Sequence, residues 1–212
     1  AGTNDRIRSE GSYGACLDGI LRAIASGFDT SMIYTVSRAN LHELAAMVPL
    51  AVDLGIKRFF IQVIGLRGSS ARPDGDPPRG DIAPVSREEW LERIPIVALQ
   101  LAEKGISVAY PRVFLAPGEL FECAGRVADN YFIFPNGRIY RCPLCEDYPI
   151  HSLMFRDDAI VVVPRLNEAD LFTLDIAEGC VMNKLIQPGN LAYDEDGRPL
   201  YQIACCLLKE EL

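Results

Sequence analysis

Four residues in the second half of the chain constrain its fold most strongly, because Cys123, Gly137, Cys142 and Cys145 form the pattern C-x13-G-x4-C-x2-C. The segment between the cysteines predicts a β-hairpin: "YFIF" and "RIY" flank a Pro-Asn-Gly turn that ends at Gly137. Asn-Gly is a strong hairpin signal, since both residues tolerate positive φ. Such a hairpin would return Cys123 towards Cys142 and Cys145. Thiolates at this spacing suit zinc or an iron–sulfur cluster.

The remaining cysteines also favour metal binding over disulfides. The chain has seven, an odd number, six of them lie after residue 122, and no secretory signal precedes them. A tetrahedral zinc or a [4Fe–4S] cluster needs four ligands, and Cys180 is our choice for the fourth. Cys205 and Cys206 compete with it, although a buried apolar pair explains them equally well. His151 is a weaker candidate ligand.

Residues 1–110 alternate helix and strand three times. The apolar spacing and the capping signals predict helices over 15–26, from Asn40 to Gly55 and from Ser86 to Gly105, and strands over 31–36, 58–64 and 106–110. Pro95 interrupts the third helix, so we expect a kink or a break there. Alternation of this kind indicates parallel strands with helical crossovers. Three such strands do not close a barrel and leave an open edge.

In parallel sheets, ligands belong at the carboxyl ends of the strands. Arg38 follows the first strand, where a guanidinium can grip a carboxylate, although a solvated loop arginine is the alternative. Gln62 is polar in an otherwise apolar strand, so it either faces a barrel lumen or makes a structural hydrogen bond. Gly65 would let the backbone approach a ligand, but turn glycines are common. The long Gly- and Pro-rich loop over 65–84 lies at the same edge.

Residues 111–212 have a different rhythm, with the hairpin, the β-branched run "AIVVVP" and a helix start at "NEADLF", so we place a domain boundary near Pro111. The net charge of −8 and the pI of about 4.8 argue against a nucleic-acid partner. No apolar run approaches 18 residues, which predicts no membrane span and, without a secretory signal, a cytoplasmic protein. The sequence contains no paired carboxylates, Ser–His–Asp arrangement or phosphate-binding glycine motif that would favour a hydrolase.

Together these motifs give the chain a resemblance to a known family. Cys123, Gly137, Cys142 and the hairpin "YFIFPNGRIYRCP" resemble the auxiliary-cluster extension, called SPASM or twitch, of radical S-adenosylmethionine (radical SAM) enzymes. Residues 4–68 are similar to the second half of the family's partial barrel. The resemblance implies an α/β fold: the C-terminal half of a partial (β/α)6 barrel over 1–110, followed by a small α+β twitch- or SPASM-like domain over 111–212.

The resemblance also implies a function for the longer parent enzyme. Its 5′-deoxyadenosyl radical, formed from S-adenosylmethionine at a first [4Fe–4S] cluster, would abstract hydrogen from a small-molecule or peptide substrate, with ferredoxin or flavodoxin as reductant. The C-x3-C-x2-C motif that holds that first cluster is absent from this chain, which also lacks an initiating Met. We therefore expect a C-terminal fragment that is inactive by itself and that self-associates through its open barrel edge.

Within the fragment, the resemblance assigns two sets of residues. Arg38, Gln62, Gly65 and Leu66 would contact S-adenosylmethionine. Cys123, Cys142, Cys145 and Cys180 would hold one auxiliary [4Fe–4S] cluster, which makes twitch the better label. A zinc-binding structural or interaction module without a redox role is the alternative, because it would use the same thiolates.

Overall fold

The computed structural model describes residues 2–65, 83–146, 148, 150–163 and 166–212. It is a mixed α/β structure in two compact units, Ala1–Pro111 with Lys209–Leu212 (unit 1) and Arg112–Leu208 (unit 2). Each unit contains one four-stranded sheet, and neither sheet closes into a barrel within the described residues. No helix among these residues is both long and apolar enough to cross a membrane.

Unit 1 alternates helices and strands as the sequence predicts. Its elements are α1 (Gly2–Arg8), α2 (Ser12–Ala25), β1 (Ser31–Val36), a 3-10 turn (Leu41–Ala46), α3 (Met47–Asp53), β2 (Arg58–Val63), α4 (Arg87–Glu103), β3 (Ser107–Pro111) and β8 (Lys209–Glu211). Gly27, Gly55 and Gly105 follow α2, α3 and α4 with φ of 81°, 71° and 77°. These left-handed conformations end the helices and confirm the predicted glycine stops.

Sheet 1 has the strand order β1-β2-β3-β8, and β1, β2 and β3 are parallel, as predicted. The antiparallel β8 covers the free side of β3, and no pattern in the sequence indicated this strand. One face of the sheet, with Phe59 and Ile61 of β2, is buried. The opposite face carries Phe60 and Gln62, which are half-buried, and Ile33 of β1, which is 65% exposed.

Two local predictions in unit 1 need correction. Of the kink or break predicted at Pro95, the break does not occur: α4 is continuous from Arg87 to Glu103, because buried side chains on both sides of the proline, including Trp90 and Leu101, hold the helix in the core. Asn40 does not cap the next helix. Its side chain turns back to accept the Ser37 N–H at 2.8 Å and to donate to the Thr35 carbonyl at 2.9 Å. It therefore fixes the turn at the end of β1.

Unit 2 is built around an antiparallel meander of strand order β4-β5-β6-β7. Its elements are α5 (Ala124–Val127), β4 (Phe132–Ile133), β5 (Arg138–Tyr140), a 3-10 turn (Pro143–Glu146), β6 (Leu153–Arg156), β7 (Ala159–Val162), α6 (Glu168–Phe172), α7 (Val181–Ile186) and a 3-10 turn (Pro188–Asn190). The elements are short, so loops position much of this unit.

The predicted hairpin is confirmed: β4 and β5 pair in antiparallel register across the Pro-Asn-Gly turn. Only Gly137 takes a positive φ, of 79°. Asn136 contributes through its side chain, whose Oδ1 accepts the Arg138 N–H at 3.0 Å. The "NEADLF" signal is confirmed as α6, where Asn167 and Asp170 form a complete capping box.

Candidate metal centre

Five cysteines gather in the core of unit 2, and we call them the thiol core: Cys123, Cys142, Cys145, Cys180 and Cys205. Four of them are buried, with exposed fractions of 8% for Cys142, 0% for Cys145, 9% for Cys180 and 7% for Cys205, and Cys123 is half-buried. All five carry free thiols. The spacing of the first three therefore does bring them into one region, as the sequence predicts.

Local structure explains how each thiol reaches this core. Cys142 follows the hairpin strand β5, and Cys145 lies one 3-10 turn later, so the hairpin fixes both. Cys123 and Cys180 precede the first residues of α5 and α7. Cys205 follows Ile203, which bridges to Gly179 and thereby brings the end of the unit beside Cys180.

The thiols interact in pairs. Cys142 and Cys145 are joined by a side-chain hydrogen bond, and so are Cys123 and Cys205. Electrostatic interactions connect the pairs, because Cys205 acts on Cys142 and on Cys180, and Cys180 acts on Cys123. Each of the five thiols therefore lies close to at least one other.

Two backbone amides point at sulfur atoms of the thiol core. The Ala124 N–H donates to Cys205 Sγ and the Asn183 N–H donates to Cys180 Sγ, each at 3.4 Å. Hydrogen bonds of this kind stabilise a thiolate, and they tune the potential of a cluster whose sulfur they contact. The wall around them is apolar, with Tyr140, Phe172 and Met182 almost fully buried.

Within each pair, the interaction lowers the pKa of one thiol and raises the pKa of the other. The hydrogen bond from Cys123 lowers the pKa of Cys205 from 9.0 to about 6, and the same bond, together with burial, raises that of Cys123. The hydrogen bond with Cys145 lowers the pKa of Cys142 and raises that of Cys145. Burial raises the pKa of Cys180 to about 12.

These shifts predict how the stability of the metal-free, reduced chain depends on pH. Between pH 6 and 9 native Cys205 is a thiolate while its unfolded counterpart is protonated, so stability increases with pH and is lost as the pH falls through 6. Between pH 9 and 12 native Cys180 keeps its proton while the unfolded thiol does not, so stability decreases as the pH rises.

We expect the urea midpoint of unit 2 to be highest near pH 9. The Cys205→Ala variant should show a smaller increase from pH 6 to 9, to which Cys142, whose pKa is also lowered, still contributes; a midpoint of the unchanged chain that is highest at pH 6 would contradict the prediction.

The thiols lie close to one another but are not arranged around a metal ion. Among the described residues, no group of three or more His, Cys, Asp or Glu side chains is arranged to hold a metal ion. Zinc–sulfur bonds of about 2.3 Å require sulfur atoms about 3.8 Å apart. To bind a zinc ion, the thiol side chains would therefore have to turn towards a common centre.

The residues predicted to contact S-adenosylmethionine lie in unit 1. Arg38 is exposed two residues after β1, and Gly65 is exposed two residues after β2. Since β1 and β2 are parallel neighbours with Val36 opposite Val63, both residues follow the same edge of sheet 1. Gln62 lies on the half-buried face of β2. Leu66, like most of the loop over 65–84, lies outside the described residues.

Sequence reasoning gave too little weight to Cys205 and missed Glu168 and Ser152. Glu168 is fully buried and Ser152 is 8% exposed, and they are hydrogen-bonded to each other beside Cys145. An acidic residue at a helix start is normally solvated, so the pattern carried no signal for burial. His151 stacks edge-on against Tyr140 at 5.8 Å between ring centroids, and neither ring nitrogen has a hydrogen-bond partner within the described part of the chain.

No protein-family model matches the chain, and no curated protein matches it significantly.

Proposed function

We propose that this chain is the C-terminal part of a radical SAM oxidoreductase or maturase, and that its thiol core carries an auxiliary [4Fe–4S] cluster. The observation that carries the proposal is the gathering of five free thiols: Cys142, Cys145 and Cys180 lie in one buried apolar core, Cys123 packs against it, and the buried Cys205 lies beside Cys123. A cubane cluster needs four thiolates. Cys123, Cys142 and Cys145 supply three, and Cys180 supplies the fourth, with Cys205 as its competitor.

The donor set fits such a group chemically. The ligands are soft sulfur atoms, which select iron–sulfur clusters or zinc over hard cations. Two backbone N–H groups already point at sulfur atoms, on Cys205 and Cys180. A bound cluster would supply one-electron transfer, and the apolar side chains of Tyr140, Phe172 and Met182 would shield it from water.

Sheet 1 supports the barrel part of the proposal. Its three parallel strands alternate with helices, as in (β/α) barrels. One face of the sheet buries Phe59 and Ile61, and the opposite face bears the polar Gln62 and the exposed Ile33. If further strands joined β1 to form a barrel, this opposite face would line its interior. Arg38 and Gly65, at the carboxyl ends of β1 and β2, would then contact S-adenosylmethionine in the parent enzyme.

The second candidate is a zinc-binding structural module, which the same thiols favour. Zinc is colourless and does not change its oxidation state, so the two candidates differ in spectrum. In the zinc case the chain would bind one ion for stability and would need neither S-adenosylmethionine nor a reductant.

Anaerobic reconstitution of the full 212-residue chain with iron and sulfide tests the proposal. We expect about four irons per chain and a broad absorbance at about 400 nm that is bleached by dithionite. A parallel sample incubated with zinc is the control. Tight stoichiometric zinc binding together with no iron–sulfur chromophore would exclude the cluster and leave the structural module.

A further inference from the structure

Glu168 is the most unusual polar residue outside the candidate ligands. It is 0% exposed, although it is the first residue of α6. Its Oε1 accepts the backbone N–H of Arg141 at 2.7 Å and the Ser152 hydroxyl at 2.9 Å. The same carboxyl group lies close enough to the Cys145 thiol to help raise its pKa. Its Oε2 is buried without a hydrogen-bond partner among the described residues.

The helix itself does not explain this burial. The capping box of α6 is completed by Asn167 and Asp170, so Glu168 is not needed to begin the helix. Burying a carboxyl group costs several kcal/mol unless its contacts compensate. An unpaired oxygen makes the compensation incomplete. A residue retained at such a cost is expected to serve the groups that it contacts.

Those groups are the two ends of the C-x2-C segment. Arg141, whose N–H Glu168 accepts, directly precedes Cys142, and Cys145 lies within the following 3-10 turn. One carboxyl group therefore ties the residue after β5 to α6 and lies beside the second cysteine of the pair. Ser152 in turn holds the carboxyl group in place.

We propose that Glu168 is a positioning residue that holds the C-x2-C segment in the thiol core through the N–H of Arg141 and thereby sets the geometry of the Cys142–Cys145 pair. The inference rests on the proposed function of the thiol core. Outer residues that orient metal ligands affect metal affinity by about 10- to 100-fold when they are removed.

The first test uses the metal-free, reduced full chain, and measures by mass spectrometry how fast each cysteine is alkylated by iodoacetamide. In Glu168→Ala we expect Cys145 to be alkylated roughly tenfold faster, the effect of one lost hydrogen bond, while the rates at Cys123 and Cys180 stay within about twofold. Glu168→Gln keeps an acceptor oxygen and should restore most of the protection. Asp170→Asn is the matched control, since it changes a carboxyl group on the same helix that only caps it.

A uniform increase at all buried thiols in Glu168→Ala would show a merely structural role and overturn the proposal, as would an unchanged rate at Cys145. If Glu168→Ala fails to fold, the same measurement on Glu168→Gln and Ser152→Ala decides the question. Ser152→Ala removes one hydrogen bond to the carboxyl group and should therefore increase the alkylation rate of Cys145 selectively.

The second test uses the reconstituted chain and a competing iron chelator. Glu168→Ala should release iron at a chelator concentration about tenfold lower than the unchanged protein does, and Glu168→Gln should lie close to the unchanged protein. Equal retention in Glu168→Ala overturns the proposal. If the unchanged protein takes up no iron, the proposed cluster fails, and the alkylation rates still decide the role of Glu168.

Discussion

Replacement of Gly179 by alanine is expected to destabilise unit 2 by about 3 kcal/mol, from a left-handed backbone cost of about 1–2 kcal/mol and an overpacking cost of about 1–3 kcal/mol. Gly179 has φ of 83°, and a Cβ at this position would lie 2.5 Å from the backbone oxygen of Ile203 and 3.2 Å from its nitrogen. Backbone atoms cannot move aside as a flexible side chain can. The substitution would therefore force the two segments apart.

The same substitution is expected to disturb the thiol core. Gly179 and Ile203 lie where two segments join: the Cys180 N–H donates to the Ile203 carbonyl at 3.2 Å, and the Ile203 N–H donates to the Glu178 carbonyl at 2.9 Å. Cys180 and Cys205 are brought together by these bonds. We therefore expect Gly179→Ala to lose stability and to increase the alkylation of both cysteines.

Gly197→Ala is the matched control for the cost of the backbone conformation. Gly197 has a similar φ of 77°, but no atom lies within 4 Å of the position that an alanine Cβ would take there. We expect it to lose only about 1 kcal/mol. Urea unfolding of the metal-free chain at constant pH, followed by near-ultraviolet circular dichroism of the tyrosines, measures both variants. Equal losses in the two variants would show that the approach of Ile203 contributes nothing.

Patterns that are local in sequence predicted the fold well. The glycine stops, the parallel order of β1, β2 and β3 and the hairpin before Cys142 all follow from short-range signals, and each appears in the structure. The break predicted at Pro95 failed because tertiary packing outweighed a local preference. Strand β8 was missed because its pairing with β3 joins residues about a hundred positions apart in the chain, which no periodicity records.

The thiol core was predicted only in part, for a similar reason. The spacing of Cys123, Cys142 and Cys145 is local and indicated their convergence, whereas Cys205 reaches them through the bridge between Gly179 and Ile203. The adjacent pair Cys205 and Cys206 was predicted as competing ligands or as a buried apolar pair, and the sequence did not show that Cys205 is the one buried in the core. Buried Glu168 was hidden by an ordinary helix-start pattern. Contacts made by chain segments that are distant in sequence, rather than residue types, decided these cases.

Removal of the C-x2-C thiols is expected to have the largest effect on metal content. Because Cys142 and Cys145 are both buried in the segment that follows β5, we expect that no other thiol takes their places. After anaerobic reconstitution, Cys142→Ala and Cys145→Ala should each fall from about four irons per chain to less than about one. Cys16→Ala is the first control, because Cys16 is exposed in unit 1, and it should keep the full iron content.

The fourth ligand position is expected to behave differently, because two thiols can compete for it. Cys180 and Cys205 interact with each other and with Cys142, so each can complete the set when the other is absent. We expect Cys180→Ala and Cys205→Ala each to retain more than about half of the iron, and the double variant to lose nearly all of it. Cys206→Ala, which changes the neighbouring thiol, is the matched control.

Loss of the cluster in Cys180→Ala alone would identify Cys180 as the only fourth ligand, and loss in Cys205→Ala alone would assign that position to Cys205. Retention of iron in the double variant would exclude both and place the fourth ligand elsewhere in the chain.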